Sequence, residues 1–429
     1  MRKLRLPVLL LTVALALGLA AHVGSAQEVV IRMYGGYPFR TDGEMGPAEV
    51  LDMYLREYER LNPHVRVENL GRNLNVDQLI NLYITDQMPD IIEIDVKFLA
   101  DFYRVGMLAP VPDDFAAKMR ENLFPSSVAF ITLAGRMIGV PLENMVTGLW
   151  YSRDALEDAG VAEPPKTLRE FEDMGRKLTK RAPDGSVELP AVIHSQGEWA
   201  VNHIALAMVS AEGGRIYDEL GRLDLDESVL HQVLERMVTW MRPNSFFAVD
   251  GFKREFDYGL VPFGVGYPWW IQGYDLYYPG DDYTQNFGVT LFPAGRDYGA
   301  FMYAHGYGVN ANSEHLDEVW KLLEWLALEE IDGITPIGHM MAAQGSLPNR
   351  PQDILADPYA DYREMYMGFI ANLDYARNTP DWERVNLGGA VLRVINGETH
   401  PVEAIADAIR EAEAATRAHE EWLASQQLN

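Results

Sequence analysis

From residue 29 onward, short apolar runs of strand character alternate with amphipathic runs of helical period, and this alternation limits the fold more than any other feature of the sequence. Val29-Val30-Ile31 with Met33 reads as a buried strand that stops at the turn Gly35-Gly36-Tyr37-Pro38. Leu51, Tyr54, Leu55, Tyr58 and Leu61 then recur at helical spacing until Asn62-Pro63 ends the pattern. Residues 65–67, 76–84 and 91–94 repeat the order strand, helix, strand. Such alternation predicts crossover units and a mainly parallel sheet with helices on both faces. Ligands of such sheets sit at the carboxyl ends of the strands, which directs attention to Gly35-Gly36 and to Asp95.

Further along, residues 129–133 and 137–140 flank Ala134-Gly135 as a hairpin, and 146–151 reads as a strand. Thr167 and Glu170 have capping-box spacing, and Phe171, Met174 and Leu178 carry the helix on. A helix over 199–211 closes at Gly213-Gly214, and helices over 229–241 and 316–328 repeat the amphipathic pattern, with Pro243 stopping the first. Residues 289–292 and 301–309 read as strands, and the Ala- and Glu-rich tail 401–424 as a helix. A length of 429 residues suggests two or three domains. No linker separates them, so lobes joined by several crossings of the backbone are expected.

Composition narrows the function. The 36 Lys and Arg against 63 Asp and Glu give a formal charge of −27, which repels phosphate backbones and anionic lipid. Nucleic acid and membrane surfaces are therefore poor partners, and the charge favours a soluble monomer. The chain has no cysteine, which excludes disulfides, thiolate zinc sites, cysteine nucleophiles and a lipid-modified N-terminal Cys. Arg2, Lys3 and Arg5, an uncharged apolar run over 6–21 and Gly24-Ser25-Ala26 follow the order of a secretory signal peptide, with cleavage expected after Ala26. Losing those three cations takes the charge from −27 to −30. An exported, periplasmic protein without a membrane anchor is expected.

Motifs for chemistry are missing. The sequence has no phosphate-binding loop, no Gly-x-Ser-x-Gly elbow and no His-Glu-x-x-His pair; Gly264 and Gly266 lack a third glycine at the right spacing. The ten histidines are scattered, and His194 with His203 does not have metal-ligand spacing. No catalytic residue, metal or cofactor is expected. Aromatic residues, by contrast, gather at turns and strand ends: Tyr34 and Tyr37 at the first turn, Trp199 at a helix start, Tyr267, Trp269 and Trp270 at a Gly/Pro turn, and Tyr303, His305 and Tyr307 alternating along one strand. Their faces suit stacking on the C–H faces of sugars, and Asp95, Glu143 and Asn144 can bond paired hydroxyls. Any one of these rings, taken singly, is more often core packing than platform. Alternation puts Tyr303, His305 and Tyr307 on one face, so that all line a cleft or all pack inward.

Several short segments then fall in a recognisable order. Pro89-Asp90-Ile91-Ile92 precedes Gly106-Met107-Leu108, and Gly135-Arg136-Met137-Ile138-Gly139-Val140-Pro141 leads to Leu149-Trp150-Tyr151-Ser152-Arg153-Asp154. Pro164-Pro165-Lys166-Thr167, Gly213-Gly214, Phe287-Gly288-Val289, Phe292-Pro293 and Asn396-Gly397 follow. In this order, across nearly the whole mature chain, the sequence resembles the extracellular solute-binding proteins, family 1, of bacterial carbohydrate ABC transporters, typified by maltose-binding protein.

That resemblance implies an α/β type II periplasmic-binding-protein fold: two α/β lobes, a three-crossing hinge and a ligand cleft between them. It implies lobes of 27–142 plus 306–345 and of 143–305 plus 346–429, with hinge crossings near Leu142 and Glu143, near Tyr303 to Gly306, and near Gly345 to Asn349. The implied ligand contacts are Tyr34, Tyr37, Asp95, Lys97, Glu143, Asn144, Trp199, Trp269 and Trp382, to which the aromatic clustering adds Tyr267, Trp270, Tyr303 and His305. The family's Gly-x-Trp is altered here, since Tyr267 and Pro268 separate Gly266 from Trp269, so either Trp269 or Trp270 faces the ligand. Arg40, Asp42 and Glu44, in a segment longer and more polar than the family's, are further candidates. The implied function is a periplasmic receptor that delivers a sugar or oligosaccharide to membrane permease subunits. Alternatives are a binding protein for a polyol phosphate or cationic amine, and a secreted carbohydrate-active enzyme using Asp95 and Glu143.

Overall fold

The computed structural model describes residues 28–35, 45–71, 74–194, 197–217, 223–271, 283–377 and 384–426. The expected signal peptide and the candidates Tyr37, Arg40, Asp42, Glu44 and Trp382 lie outside the described residues.

Two five-stranded sheets organise the chain. The first runs in the order Val65–Asn69, Val29–Tyr34, Ile91–Asp95, His305–Val309, Val140–Pro141. The second runs Phe247–Val249, Val192–His194, Phe263–Gly266, Gly148–Ser152, Phe287–Thr290. In each sheet the first three strands are parallel, as the alternation predicted, with helices such as Pro47–Leu61 and Gly197–Ala211 in the connections. The remaining pairings are antiparallel, so the sheets are mixed rather than mainly parallel. The reason is where the chain enters. His305–Val309 begins two residues after Tyr303, which pairs elsewhere, so the chain comes in beside Asp95, at the end where the parallel strand finishes. A strand entering at that end runs backwards relative to its neighbour. Gly148–Ser152 enters the second sheet in the same way, beside Gly266.

These passages also split two strands that the sequence reads as continuous. The expected strand over 301–309 divides at Ala304: Tyr303 pairs with Met145 in a small three-stranded sheet, and His305 pairs with Asp95 in the first large one. The expected strand over 146–151 divides at Thr147, whose N–H donates to Phe301 O at 2.9 Å. Hydrophobic pattern alone does not register such a change of partner, because both halves are buried.

Other local expectations are met closely. Thr132–Leu133 and Arg136–Met137 form the hairpin around Ala134 (φ 49°) and Gly135 (φ 80°), although residue 129 belongs to the helix Pro125–Phe130. Thr167 Oγ1 accepts from Glu170 N while Glu170 accepts from Thr167 N, closing the capping box. Leu316–Leu328 is helical as read, and Glu227–Met241 starts two residues earlier because the Asp226 side chain accepts from Val229 N.

Strand alternation divides the core of the second sheet. Leu149, Val192 and Val265 face a cluster formed with helices Gly197–Ala211, Glu227–Met241 and Leu387–Ile395, while Trp150 and Ile193 face the other cluster, which continues beneath the first sheet. The last helix, Pro401–Gln426, buries Ala404, Ile405, Ala408 and Ala412 in the second-sheet cluster. Further along it, His419 Nε2 lies 2.8 Å from Asp101 Oδ1 on the helix Val96–Arg104 of the first sheet. No helix among the described residues is long and apolar enough to cross a membrane.

Candidate functional site

The carboxyl ends of the first-sheet strands converge on one cavity. Tyr34 closes the strand Val29–Tyr34 and Asp95 closes Ile91–Asp95, while His305 opens the antiparallel neighbour in register with Asp95. With Gly35, Glu93 and Phe98 they line a cavity of about 410 Å³. Gly35 is needed here, since a Cβ would sit 2.9 Å from both Met33 Cε and Tyr307 Cε1. The floor is acidic. Burial works against charge on the His305 imidazole, but the adjacent Glu143 carboxylate outweighs it, with Asp95 and Glu93 adding, and the imidazole pKa is raised.

Joined to this floor through the contact of Tyr303 with His305 is an aromatic ledge carried by the second sheet and its helix. The rings of Trp199 and Tyr267 are 6.0 Å apart at 25°, and those of Tyr267 and Trp269 6.1 Å apart at 8°. Trp199 is 38% exposed and Trp269 partly so, whereas Tyr267 between them is fully buried. Tyr267 is fixed by a hydrogen bond with His203 Nδ1, and His203 stacks on Phe301 at 3.8 Å. Burial, and secondarily Tyr303, pushes the Tyr267 phenol well up; burial, with His194, pushes the His203 imidazole well down. Tyr303, whose phenol is raised chiefly by burial, meets the Tyr267 ring edge-on at 5.6 Å. Its ring meets His305 edge-on at 6.4 Å, which joins ledge to floor.

Between ledge and floor the chain passes from sheet to sheet. Leu142 N donates to His305 O at 2.9 Å, Gly306 pairs with Pro141, and Asn144 bridges Leu347. Gly345 (φ 75°) ends the helix Pro336–Gln344 in the left-handed conformation and turns the chain toward this bundle of passages.

The structure thus brings Tyr34, Asp95 and His305 together around one cavity, and sets Trp199 and Trp269 on either side of Tyr267 in a cluster that meets His305 through Tyr303. Four candidates need correction. Trp270 is 2% exposed, packed 5.7 Å from the Trp150 ring and 5.8 Å from Phe256. Gly266 makes room for it, since a Cβ there would meet the Trp270 ring at 2.6 Å, and so Trp269 is the residue turned outward. Tyr267 backs the ledge rather than fronting it. Asn144 is fully buried, donating to Pro348 O and Asn349 Oδ1, each at 3.1 Å, and accepting from Ser127 Oγ. Glu143 is 1% exposed and bound within the passages. The expectation that Tyr303, His305 and Tyr307 share one fate also fails: His305 lines the cavity and Tyr303 is partly exposed beside it, while Tyr307 packs inward at 0% exposure beneath Gly35. Lys97 lies in the helix Val96–Arg104, its side chain outside the described residues. Arg350 pairs with Glu330 at 2.8 Å and Asp353 at 3.4 Å, so its charge is committed to structure.

Sequence reasoning missed Glu93, Phe98, His203, Gln344 and Ser346. His203 carries a usable signal, being one helical turn from Trp199. Nothing in periodicity marks Ser346.

Comparison with known proteins agrees with this architecture. Residues 46–332 match the family model described as bacterial extracellular solute-binding protein. A binding protein of Brucella abortus (strain 2308) is 21% identical over 388 residues, 83% of this chain and 89% of that one. The sugar-binding protein MalE from the phytopathogen Xanthomonas citri has a similar structure, with TM-score 0.75 at 19% identity over 93% of this chain and 100% of that one. A maltose-bound MalE protein of T. maritima gives 0.67 at 20% identity, over 90% and 100%. At these identities the structural likeness establishes the fold, a two-lobe type II binding protein.

Proposed function

Because this chain belongs to the bacterial extracellular solute-binding protein family, we propose that it is the sugar-binding receptor of an ABC importer, exported to the periplasm and working as a monomer. The observation that carries this reading is the pairing of an acidic, hydroxyl-bonding floor at the strand ends of one sheet with an aromatic ledge on the other. A sugar offers complementary surfaces to both, C–H faces for Trp199 and Trp269 and hydroxyls for Asp95. The lobes of the receptor are 27–142 plus 306–345 and 143–305 plus 346–429. Contacts made to both at once stabilise the closed form, so occupancy becomes a shape that permease subunits can read.

The named ligands of the Xanthomonas citri and T. maritima proteins, a sugar and maltose, support this substrate class. The carboxylates Glu93 and Asp95 in the cavity disfavour a polyol phosphate. Enzymatic use of Asp95 with Glu143 is disfavoured because Glu143 is buried and held by three side chains, with no free face for an attacking water.

A thermal-shift series of the purified chain with maltose, maltotetraose, lactose, a phosphorylated polyol and a polyamine tests the reading. A sugar at 100 times its dissociation constant stabilises by about 2.7 kcal/mol. Stabilisation by a sugar recovered unaltered after long incubation is the expected result. A response to the polyamine or phosphate alone would overturn the substrate class.

A further inference from the structure

We propose that the last helix, Pro401–Gln426, is a strap between the two halves of the site, fastened where His419 bonds Asp101. His419 is thereby a positioning residue: it sets how the helix that walls the cavity stands relative to the sheet that carries the aromatic ledge. This rests on the reading of cavity and ledge as two halves of one sugar site, and goes beyond it by giving a role to a helix that supplies none of the described cavity residues.

The helix has two stretches. Ala404, Ile405, Ala408 and Ala412 anchor the first in the cluster of the second sheet. Burying that face requires nothing beyond Ala412, yet the helix runs on to Gln426. In the extension Thr416, His419 and Trp422 are partly buried, and they follow Ala412 at helical spacing on one face, while residues 413–415, 417, 418, 420 and 421 are exposed. A chain terminus stays ordered when it is tied down, and this face is where the tie is made.

The tie runs to the wall of the cavity. His419 Nε2 lies 2.8 Å from Asp101 Oδ1, the oxygen that also accepts from Arg104 Nη1 at 3.1 Å. Asp101 is 3% exposed, and the Trp422 ring stacks on the imidazole with centroids 5.6 Å apart at 26°. Asp101 belongs to the helix Val96–Arg104, which starts immediately after Asp95 and turns Phe98, about one helical turn before Asp101, into the cavity. A buried carboxylate that loses a donor pays for its desolvation, so this bond holds more firmly than a contact between exposed groups. It needs only an Nε2–H, which imidazolium and one tautomer of the neutral ring both supply, and so it does not depend on the charge of His419. The connection from the second-sheet cluster to the cavity helix thus lies outside the three passages of the backbone. While it is made, only those arrangements of the two halves that keep the contact are favoured; once it is broken, others become populated.

The absence of cysteine makes the test direct, since labels attach only where a thiol is introduced. Spin labels at Arg66→Cys on the strand Val65–Asn69 and at Glu235→Cys on the helix Glu227–Met241, both exposed, report the separation of the two halves in the unliganded protein. His419→Ala, and a chain ending at Ala412, which keeps every residue of the second-sheet cluster, are each expected to give a distance distribution about twice as wide as the parent's. His419→Gln, whose side-chain amide keeps a donor for Asp101, is expected to match the parent. A parent-like width in either His419→Ala or the shortened chain, or a His419→Gln distribution as wide as that of His419→Ala, would overturn the proposal. No sugar is present, so the outcome is independent of the substrate reading: a protein that binds no sugar in the thermal-shift series sinks that reading and leaves this result interpretable.

Discussion

The rings of Tyr267 and Trp269 are parallel to within 8° with centroids 6.1 Å apart, yet only Trp269 is partly exposed. Tyr267 is a fully buried backing, tied to His203, and it fixes the plane in which the outer ring presents itself. If Trp269 stacks on a ligand as proposed, little side-chain entropy is lost, because its ring is already held against Tyr267.

Two adjacent tryptophans should therefore respond differently to truncation. Trp269→Ala is expected to weaken sugar binding by about 1–3 kcal/mol with little change in melting temperature. Trp270→Ala opens a cavity against Trp150 and Phe256 and is expected to lower stability by about 3–5 kcal/mol. Calorimetric titration and thermal melts of both variants separate the two roles. Unchanged affinity in Trp269→Ala would remove it from the site.

Asp95 stands at the strand end facing the cavity. Asp95→Ala deletes a charged acceptor for sugar hydroxyls, and a loss of about 1.5–3 kcal/mol in affinity is expected. Equilibrium binding to the best sugar of the thermal-shift series measures it. An effect confined to stability would assign Asp95 to the fold instead.

Stability should also fall with acid through His194. Burial holds its imidazole pKa at about 4, against 6.5 unperturbed. Between those values the unfolded chain takes up a proton that the folded one does not. The stabilisation is complete above pH 6.5 and is lost as pH falls to 4, by about 1.4 kcal/mol per unit or about 3 kcal/mol in all. Denaturant midpoints across this window are expected to have a flatter pH slope in His194→Gln than in the parent. Equal slopes would exclude His194 as the source.

Gly139, just before the first passage, is a purely steric requirement. A Cβ there would lie 2.6 Å from the backbone oxygen of Tyr307, which has no room to withdraw within its sheet. Gly139→Ala is expected to cost about 1–3 kcal/mol of stability, read as a lower melting temperature. A melt identical to the parent's would show that the strand pair shifts freely.

Much of the fold was legible in the sequence. The Thr167–Glu170 box, the hairpin at Ala134-Gly135 and the helix Leu316–Leu328 depend on residues close in the chain, and their signals are local. The antiparallel entry of His305–Val309 was not legible, because direction within a sheet follows from the end at which the chain arrives. For the proposed site, strand ends pointed to Tyr34 and Asp95, and both line the cavity. The choice between Trp269 and Trp270 was invisible, because both follow the same turn and differ only in what packs against Gly266.

The sequence by itself determined the two alternating α/β halves, the helix caps and the gathering of aromatic residues at turns, since each is written in the spacing of neighbouring residues. Only the tertiary structure decided which of those aromatic residues meet and which side chains Glu143 touches. Its partners, His305, Gln344 and Ser346, stand 162, 201 and 203 positions away along the chain. No periodicity links positions so distant, and they become neighbours only where the backbone passes from one sheet to the other.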